Sequence, residues 1–566
     1  MITLSDSAQQ ALLVAVVALP LVGAVAALLP APPGLRGAGG PDRDVLRHGV
    51  TVTGAVLVAT VVLALAFDHD RPGAVQAETD VAWVPAWDVR LHLGVDGISL
   101  PLLVLTALLT FLAALYSYVR PPTGAGARAG ADSGAGTGAD SGAGTGAGSG
   151  AGTGPGAGVG SGTPGPRAFV ALLLLLETGM LATFAVLDLV LFFLAFETVL
   201  VPMYFLIARW GSGAERAAAA WKFVLYTVLG SVLMLLGLLL VGVRAGTFDM
   251  VALAEAQGSG LTRGTQILAV LAIGFGLAVK TPMWPLHSWL PDAHTAAPTV
   301  GSVLLAGVLL KMGTYGLVRI ALPVAPEGMR FFAPYLGAFA VVGIVYGSLA
   351  CLALVRAGSG GDLKRLIAYS SVGHMGFVLL GVATMTHSGV NGALFAGVAH
   401  GLITGLLFFL VGALKERTGS TDIDALAGVG GAALYGRSPR FGGLLAFAAV
   451  ASLGLPGLAG FWGELLAMLG AFHPADGLSR PAFLTYLAVA AVGTLLTAAY
   501  LLLVVRRVCM GPVPEGGAEP LPDLRRHEYA AFGPLVALTV LAGLWPAVLL
   551  NLTDPAVQLL LPGVVR

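Results

Sequence analysis

The sequence predicts an all-α polytopic membrane protein of about fourteen transmembrane helices, with two inverted five-helix repeats that each contain a broken helix. Three observations lead there. Apolar residues make up 57% of the 566-residue chain and charged residues only 11%, where a soluble domain carries about 25% charged. The apolar residues fall into runs of the ~20 residues that a helix needs to cross the hydrocarbon. Two of those runs are interrupted, at Lys280-Thr281-Pro282-Met283-Trp284-Pro285 and at Leu455-Pro456-Gly457. They lie five runs apart, an odd offset that reverses orientation, as in an inverted repeat.

Residues 10–30, 48–67 and 98–118 read as the first three spans, within an N-terminal unit 1–120. The only charged side chain before the first span is Asp6, so it reads as a retained helix and not a cleaved leader. Between the second and third spans, VAWVPAWDVRLHLGV alternates in a way that predicts a short β-hairpin near 80–95, with Trp83 and Trp87 at the outer interface. Residues 121–166 are almost wholly Gly, Ala, Ser, Thr and Pro. Such a tract cannot bury enough apolar surface to overcome chain entropy, so a flexible cytoplasmic loop without chemistry is expected. Spans at 168–186, 188–208, 217–243, 266–288 and 298–322 form the first repeat, 167–322, broken at 280–285. Spans at 332–355, 367–386, 389–414, 442–470 and 483–507 form the second, 332–507, broken at 455–457. A last loop and a span at 530–551 occupy 508–566.

With the N-terminus outside, the cytoplasmic loops hold most of the basic residues, among them Arg43, Arg47, Lys364, Arg365, Arg506, Arg507, Arg525 and Arg526. The positive-inside rule therefore puts both termini on the outer face. The two cysteines, Cys351 and Cys509, have no metal or redox spacing and read as small buried hydrophobes.

Ionisable side chains inside these spans carry the functional signal. Glu177, Glu197, Lys222, Lys280, Lys311, His400 and Glu464 all fall within predicted spans, with His374 nearer a helix start. A charge near the bilayer centre costs roughly 2.5–3.5 kcal/mol on the gentler scales, so it persists only when paired or hydrated. Glu177 could simply bond a neighbouring helix, and Lys222 could snorkel to the headgroups. Acids and bases at similar depth on several spans are, taken together, what a proton relay requires. A carboxylate near a buried lysine would decide whether that lysine holds its proton, so small shifts of Glu197 against Lys280 would form a switch.

The run KTPMWPLHSWLPDAHTAAPTVGSVLLAGVLLKMGTYG resembles the signature of the antiporter-like membrane subunits of proton-pumping NADH:quinone oxidoreductase, respiratory complex I. FETVLVPMYFLI, LKRLIAYSSVGHMGF, VAHGLITGLLFFLVGAL and LPGLAGFWGE are similar to segments of the same family. The HTAAPTVGSVLLAG run, VPMYFLI and a glutamate in the second broken helix, Glu464, resemble the M branch, where the L and N branches and cation/proton antiporters are expected to carry lysine. The resemblance implies a proton half-channel from Glu197 and Lys280, a central axis through Lys311, His374 and His400, and a second half-channel opened by Glu464. It also implies a non-redox subunit in a bacterial cytoplasmic membrane, beside antiporter-like paralogues in the membrane arm. Flavin, iron–sulfur clusters and quinone would belong to partner subunits, with no cofactor, metal or nucleic acid bound by this chain. A sodium/proton antiporter subunit, and a membrane subunit of a hydrogenase or ferredoxin-linked pump, are the competing readings of the same fold.

Overall fold

The computed structural model describes residues 4–29, 40–122, 165–427, 433–510 and 521–562. Nearly all of the 121–166 tract lies outside the described residues. The chain enters the bundle through α1 (Asp6–Leu28) and α2 (Pro41–Ala66). Ser5 caps α1 by accepting from the Ala8 N–H, and Pro41 opens α2 where its missing N–H would be unpaired anyway. Strands β1 (Gln76–Val84) and β2 (Val89–Val95) then pair antiparallel and lead into α3 (Ser99–Val119).

The first half continues with α4 (Pro166–Ala185), α5 (Leu189–Thr198), α6 (Leu200–Trp210), α7 (Arg216–Ala245), a short α8 (Met250–Ala256), α9 (Arg263–Lys280) and α10 (Trp289–Ala296). Next comes α11 (Thr299–Val324), buried along its whole apolar window. It includes π-helical turns at Leu305–Leu309 and Leu317–Ala321. The second half comprises α12 (Pro326–Leu354), α13 (Leu363–Ala383), α14 (His387–Thr418), α15 (Pro439–Ser452), α16 (Ala459–Phe472) and α17 (Arg480–Cys509). The helices α18 (Arg526–Leu544) and α19 (Ala547–Leu560) follow. Among the described residues, thirteen spans are long and apolar enough to cross a membrane. The half-length pair α15 and α16 makes the fourteenth.

The burial of α11, α13 and α14 against the lipid-facing character of α1, α2, α7, α12 and α17 sets a polar-bearing core inside an apolar sleeve. Small residues let the core helices close up: a Cβ on Gly463 would lie 2.6 Å from the Ala396 backbone, and one on Gly470 would lie 2.7 Å from Gly389. At the end opposite the hairpin, Arg120 pairs with Glu416 and Glu528, and Arg417 reaches Glu528 at 2.6 Å. That network joins α3, α14 and α18.

Three departures from the sequence reading have local causes. The span predicted at 530–551 stops at Leu544, because Trp545 precedes Pro546 and takes a non-helical backbone (φ −130°, ψ 70°). The chain restarts as α19, which buries Thr553, Ala556, Val557 and Leu560 and exposes Leu559, so it lies along the bundle end. The span predicted at 188–208 is two helices meeting at Val199. Pro202 cannot donate to the Thr198 carbonyl, which frees the turn beside Glu197. The π turns of α11 were not anticipated, and they flank Lys311.

Candidate functional site: a line of titratable groups through the bundle

Lys280 is the last residue of α9 and is 2% exposed. The chain leaves helical geometry directly after it, and the loosened backbone is covered locally. Thr281 Oγ1 donates to the Leu277 carbonyl at 2.8 Å, and Trp289 Nε1 donates to the Val279 carbonyl at 3.1 Å. Broken backbone at this depth survives only with such partners. The Lys280 ammonium sits 4.6 Å over the ring of Phe196. The adjacent Glu197, on α5, lies within electrostatic reach of Lys280 and close to Ser231 of α7. Among the described residues no hydrogen bond joins Lys280 to Glu197.

Lys311 lies at the centre of α11 and is 1% exposed. Its Nζ donates to the Ala306 carbonyl at 2.5 Å and meets His400 Nδ1 at 2.7 Å. The π turn at Leu305–Leu309 aims the Ala306 carbonyl off the regular ladder, which leaves it available to the amine. With Lys311 as donor, His400 Nδ1 accepts and its Nε2 carries the proton; that nitrogen has no partner among the described residues. The rings of His400 and His374 meet edge to face with centroids 5.8 Å apart. His374 Nδ1 contacts Glu464 Oε1 at 3.2 Å, and its Nε2 contacts Ser452 Oγ at 3.1 Å. A cavity of about 20 Å³ between His374, His400, Thr404, Ser452 and Glu464 has room for a single water.

Glu464 is positioned by the second break. Gly454 and Gly457 take φ of +80° and +95°, which only glycine adopts freely, and this turns α15 back into α16. A Cβ on Gly454 would stand 3.0 Å from Glu464 Oε2, so the break and the carboxylate are in contact. The structure thus brings Lys311, His400, His374 and Glu464 into one connected set, with Glu197 and Lys280 as a second set.

Two further sequence candidates lie elsewhere. Lys222 donates to Asp292 at 2.7 Å, and Arg365 donates to the other oxygen of Asp292 at 3.1 Å. This cluster lines a cavity of about 310 Å³ at the end opposite the hairpin. Glu177 is fully buried on α4, and neither carboxylate oxygen has a hydrogen-bond partner among the described residues. It joins neither set.

Sequence reasoning passed over two histidines and an arginine. His294 stacks on Phe408 with centroids 4.6 Å apart and lies within electrostatic reach of Lys311 and His400. His287 meets Tyr346 edge-on at 4.9 Å and is within electrostatic reach of Lys222. His287 lies at the end of the span predicted at 266–288 and His294 in the loop predicted after it, and the packing of α10 inside the bundle buries both. Arg319, near the end of its predicted span, is buried.

On the hairpin face, His92 bridges Asp249 Oδ2 (2.6 Å, through Nδ1) and Glu78 Oε1 (2.9 Å, through Nε2). Burial alone would lower the His92 pKa, but the bonds to Asp249 and Glu78 outweigh it and hold it above the ordinary value. Burial likewise opposes ionisation of Asp249, and the His92 bond and charge together with backbone N–H donors such as that of Ala252 outweigh it and draw that carboxyl below the usual range.

The family described as NADH:quinone oxidoreductase/Mrp antiporter, transmembrane, matches residues 186–497. NADH-quinone oxidoreductase subunit M of Rhodobacter capsulatus is 38% identical over 534 residues, 92% of this chain and 91% of the relative. Respiratory complex I from Thermus thermophilus with bound NADH contains a chain of the same shape. The TM-score is 0.77 at 28% identity, over 97% of this chain and 100% of that one. The Mrp complex from Dietzia sp. has the same fold, with a TM-score of 0.75 at 22% identity over 98% of this chain and 52% of that one. With a relative of this identity along almost its entire length and a solved complex I chain superposing on the whole, the chain belongs to the antiporter-like subunit M family of bacterial NADH:quinone oxidoreductase.

Proposed function

We propose that this chain is the proton-translocating membrane-arm subunit of a respiratory NADH:quinone oxidoreductase, and that its buried Glu, Lys and His residues form the path. The observation that carries the reading is the run of contacts Lys311–His400 at 2.7 Å, His400–His374 ring to ring, and His374–Glu464 at 3.2 Å. In that run a proton given by Lys311 to His400 Nδ1 releases one from Nε2, across a water-sized gap, to His374 and Glu464. Each member is titratable and each step is within reach of one hydrogen bond or one water. Glu197 and Lys280 act at the start of the series. Their opposite charges lie within electrostatic reach of each other, and in a poorly solvated setting that influences whether a buried amine keeps its proton.

The reading assigns no redox chemistry to this polypeptide. Flavin, iron–sulfur clusters and quinone belong to partner subunits, which drive the relay through charge or helix shifts, and the neighbours in the membrane arm are antiporter-like paralogues. The hairpin face is assigned to the outside of the bacterial cytoplasmic membrane, with both termini there, and the Lys222–Asp292–Arg365 cavity to the cytoplasmic mouth. The excess of basic residues at the opposite end supports that orientation.

The test is pumping by the intact complex in proteoliposomes. Glu197→Gln and Lys280→Met are each expected to abolish proton translocation while assembly and insertion persist. A normal proton-to-electron ratio in either variant would refute the relay. Sodium-dependent transport in membranes lacking NADH dehydrogenase activity would favour an antiporter instead.

A further inference from the structure

Between Lys311 and the hairpin face, α11 carries two more polar side chains at one-turn intervals, Tyr315 and Arg319. Eight residues separate Lys311 from Arg319, about 12 Å along the axis. The Tyr315 hydroxyl is turned aside: it donates to the Phe184 carbonyl at 3.4 Å, and its ring packs against Phe184 and Phe192. Arg319 is 7% exposed and donates from Nη1 to Asp96 Oδ2 at 2.5 Å. Asp96 is 2% exposed, and its Oδ1 accepts the backbone N–H groups of Ile98 and Ser99 at 3.0 and 2.9 Å, fixing it at the head of α3. Directly above, the Gly97 N–H donates to the Pro72 carbonyl at 2.7 Å. A Cβ on Gly97 would fall 1.9 Å from the Leu552 carbonyl oxygen, so α19 and the loop before the hairpin close tightly over the pair.

We propose that Arg319, clamped by Asp96, is the outward seal of the central lysine. It stops a proton on Lys311 from leaving straight along α11 and obliges it to pass sideways to His400. A guanidinium stays protonated in proteins and offers only donors, so it can neither accept a proton nor hand one on. Stability alone does not account for the pair, because replacing a buried ion pair by packed apolar residues is often neutral or stabilising. The inference rests on the relay reading above, since a seal matters only if Lys311 carries protons.

The intact complex in proteoliposomes provides the test, through the decay of an imposed pH gradient and the stimulation of NADH oxidation by an uncoupler. Arg319→Gln, neutral but still able to hydrogen-bond Asp96, is expected to raise passive proton leak several-fold and to remove most of the uncoupler stimulation. Uncoupled NADH turnover should remain. Arg319→Lys keeps the charge beside Asp96 but can release its proton, so it should leak more than the unaltered complex and less than Arg319→Gln. Adding Lys311→Met to Arg319→Gln should close the leak again, because the route starts at that lysine. A sealed Arg319→Gln complex, or a leak that survives Lys311→Met, overturns the proposal. Should Arg319→Gln fail to assemble, Arg319→Gln with Asp96→Asn replaces the ion pair by two amides and must leak likewise. Failure of both neutral forms to assemble, with Arg319→Lys intact, would make the pair a folding element and the proposal wrong. Failure of the relay itself would appear separately, as normal pumping in Lys280→Met.

Discussion

The two titratable sets differ in how their members touch. One set joins Lys311, on the last helix of the first half, to His400, His374, Glu464 and Ser452 of the second by hydrogen bonds of 2.7 to 3.2 Å and one ring contact. In the first half, Lys280 faces the ring of Phe196 and meets Glu197 only through its field. Under the proposed relay the first arrangement would serve as a wire, along which a proton would move by reorienting rings that are already in place. Under the same proposal the other would be a gap, whose state a small helix shift would change, and two helices meet at Val199, close to Glu197. Coupling to a distant redox reaction needs both: an element that responds to movement, and one that conducts once it has responded.

Breaking the wire should have the largest effect. Helices α14 and α16 approach so closely at Gly463 that a side chain there must push Ala396 away. Ala396 lies one turn from His400, and Glu464 is the next residue. Gly463→Val is therefore expected to destabilise the subunit by about 1–3 kcal/mol, the usual range for overpacking. It should also lower the proton-to-electron ratio sharply, read from thermal unfolding and pumping of the purified complex. Gly443→Ala, with nothing within 4 Å of its added methyl, is the matched control and should change neither.

Closing the gap is expected to have a smaller effect. Phe196→Leu removes the ring beneath the Lys280 ammonium, and with it a cation–π contact of roughly 0.5–2 kcal/mol. The lysine would then be free to pair directly with Glu197. Pumping should slow a few-fold with the complex intact, and an unchanged rate would show that the ring plays no part in holding the two charges apart.

The smallest effect is expected at the hairpin, far from both sets. The raised pKa of His92 stabilises the fold fully below the ordinary histidine value of 6.5, and that contribution fades as pH rises through the raised value. The lowered pKa of Asp249 stabilises above the ordinary 3.8 and fades as pH falls. Both are fully present between those two ordinary values. Amides of the hairpin should therefore be better protected from hydrogen exchange at about pH 6 than at about pH 9, after correction for intrinsic rates. His92→Gln should flatten that difference; an equal difference in the variant would show that His92 is not its source.

Much of this was legible in the chain. The spans, the two interruptions and the lysines and acids within apolar runs follow from hydropathy and proline placement, because lipid forces every backbone group into a helix unless protein covers it. The kink at Val199 was readable in principle from Pro202. His287, at the end of the span predicted at 266–288, was readable too, but His294 was not, since it follows that span in a stretch with the composition of a loop and is buried only because the half-helix α10 packs back into the bundle. Lys222 belonged by sequence with the other intramembrane charges, and its partner Asp292 is seventy residues away.

By itself, then, the sequence determined that the chain crosses a membrane many times and carries protonatable groups at depth, because both follow from local composition and the cost of charge in hydrocarbon. Only the tertiary structure decided which of those groups touch. Lys311 finds His400 eighty-nine residues on, and His374 finds Glu464 ninety residues on, and no periodicity encodes such contacts. They depend on how glycine-faced helices pack and on where π turns and breaks aim a side chain.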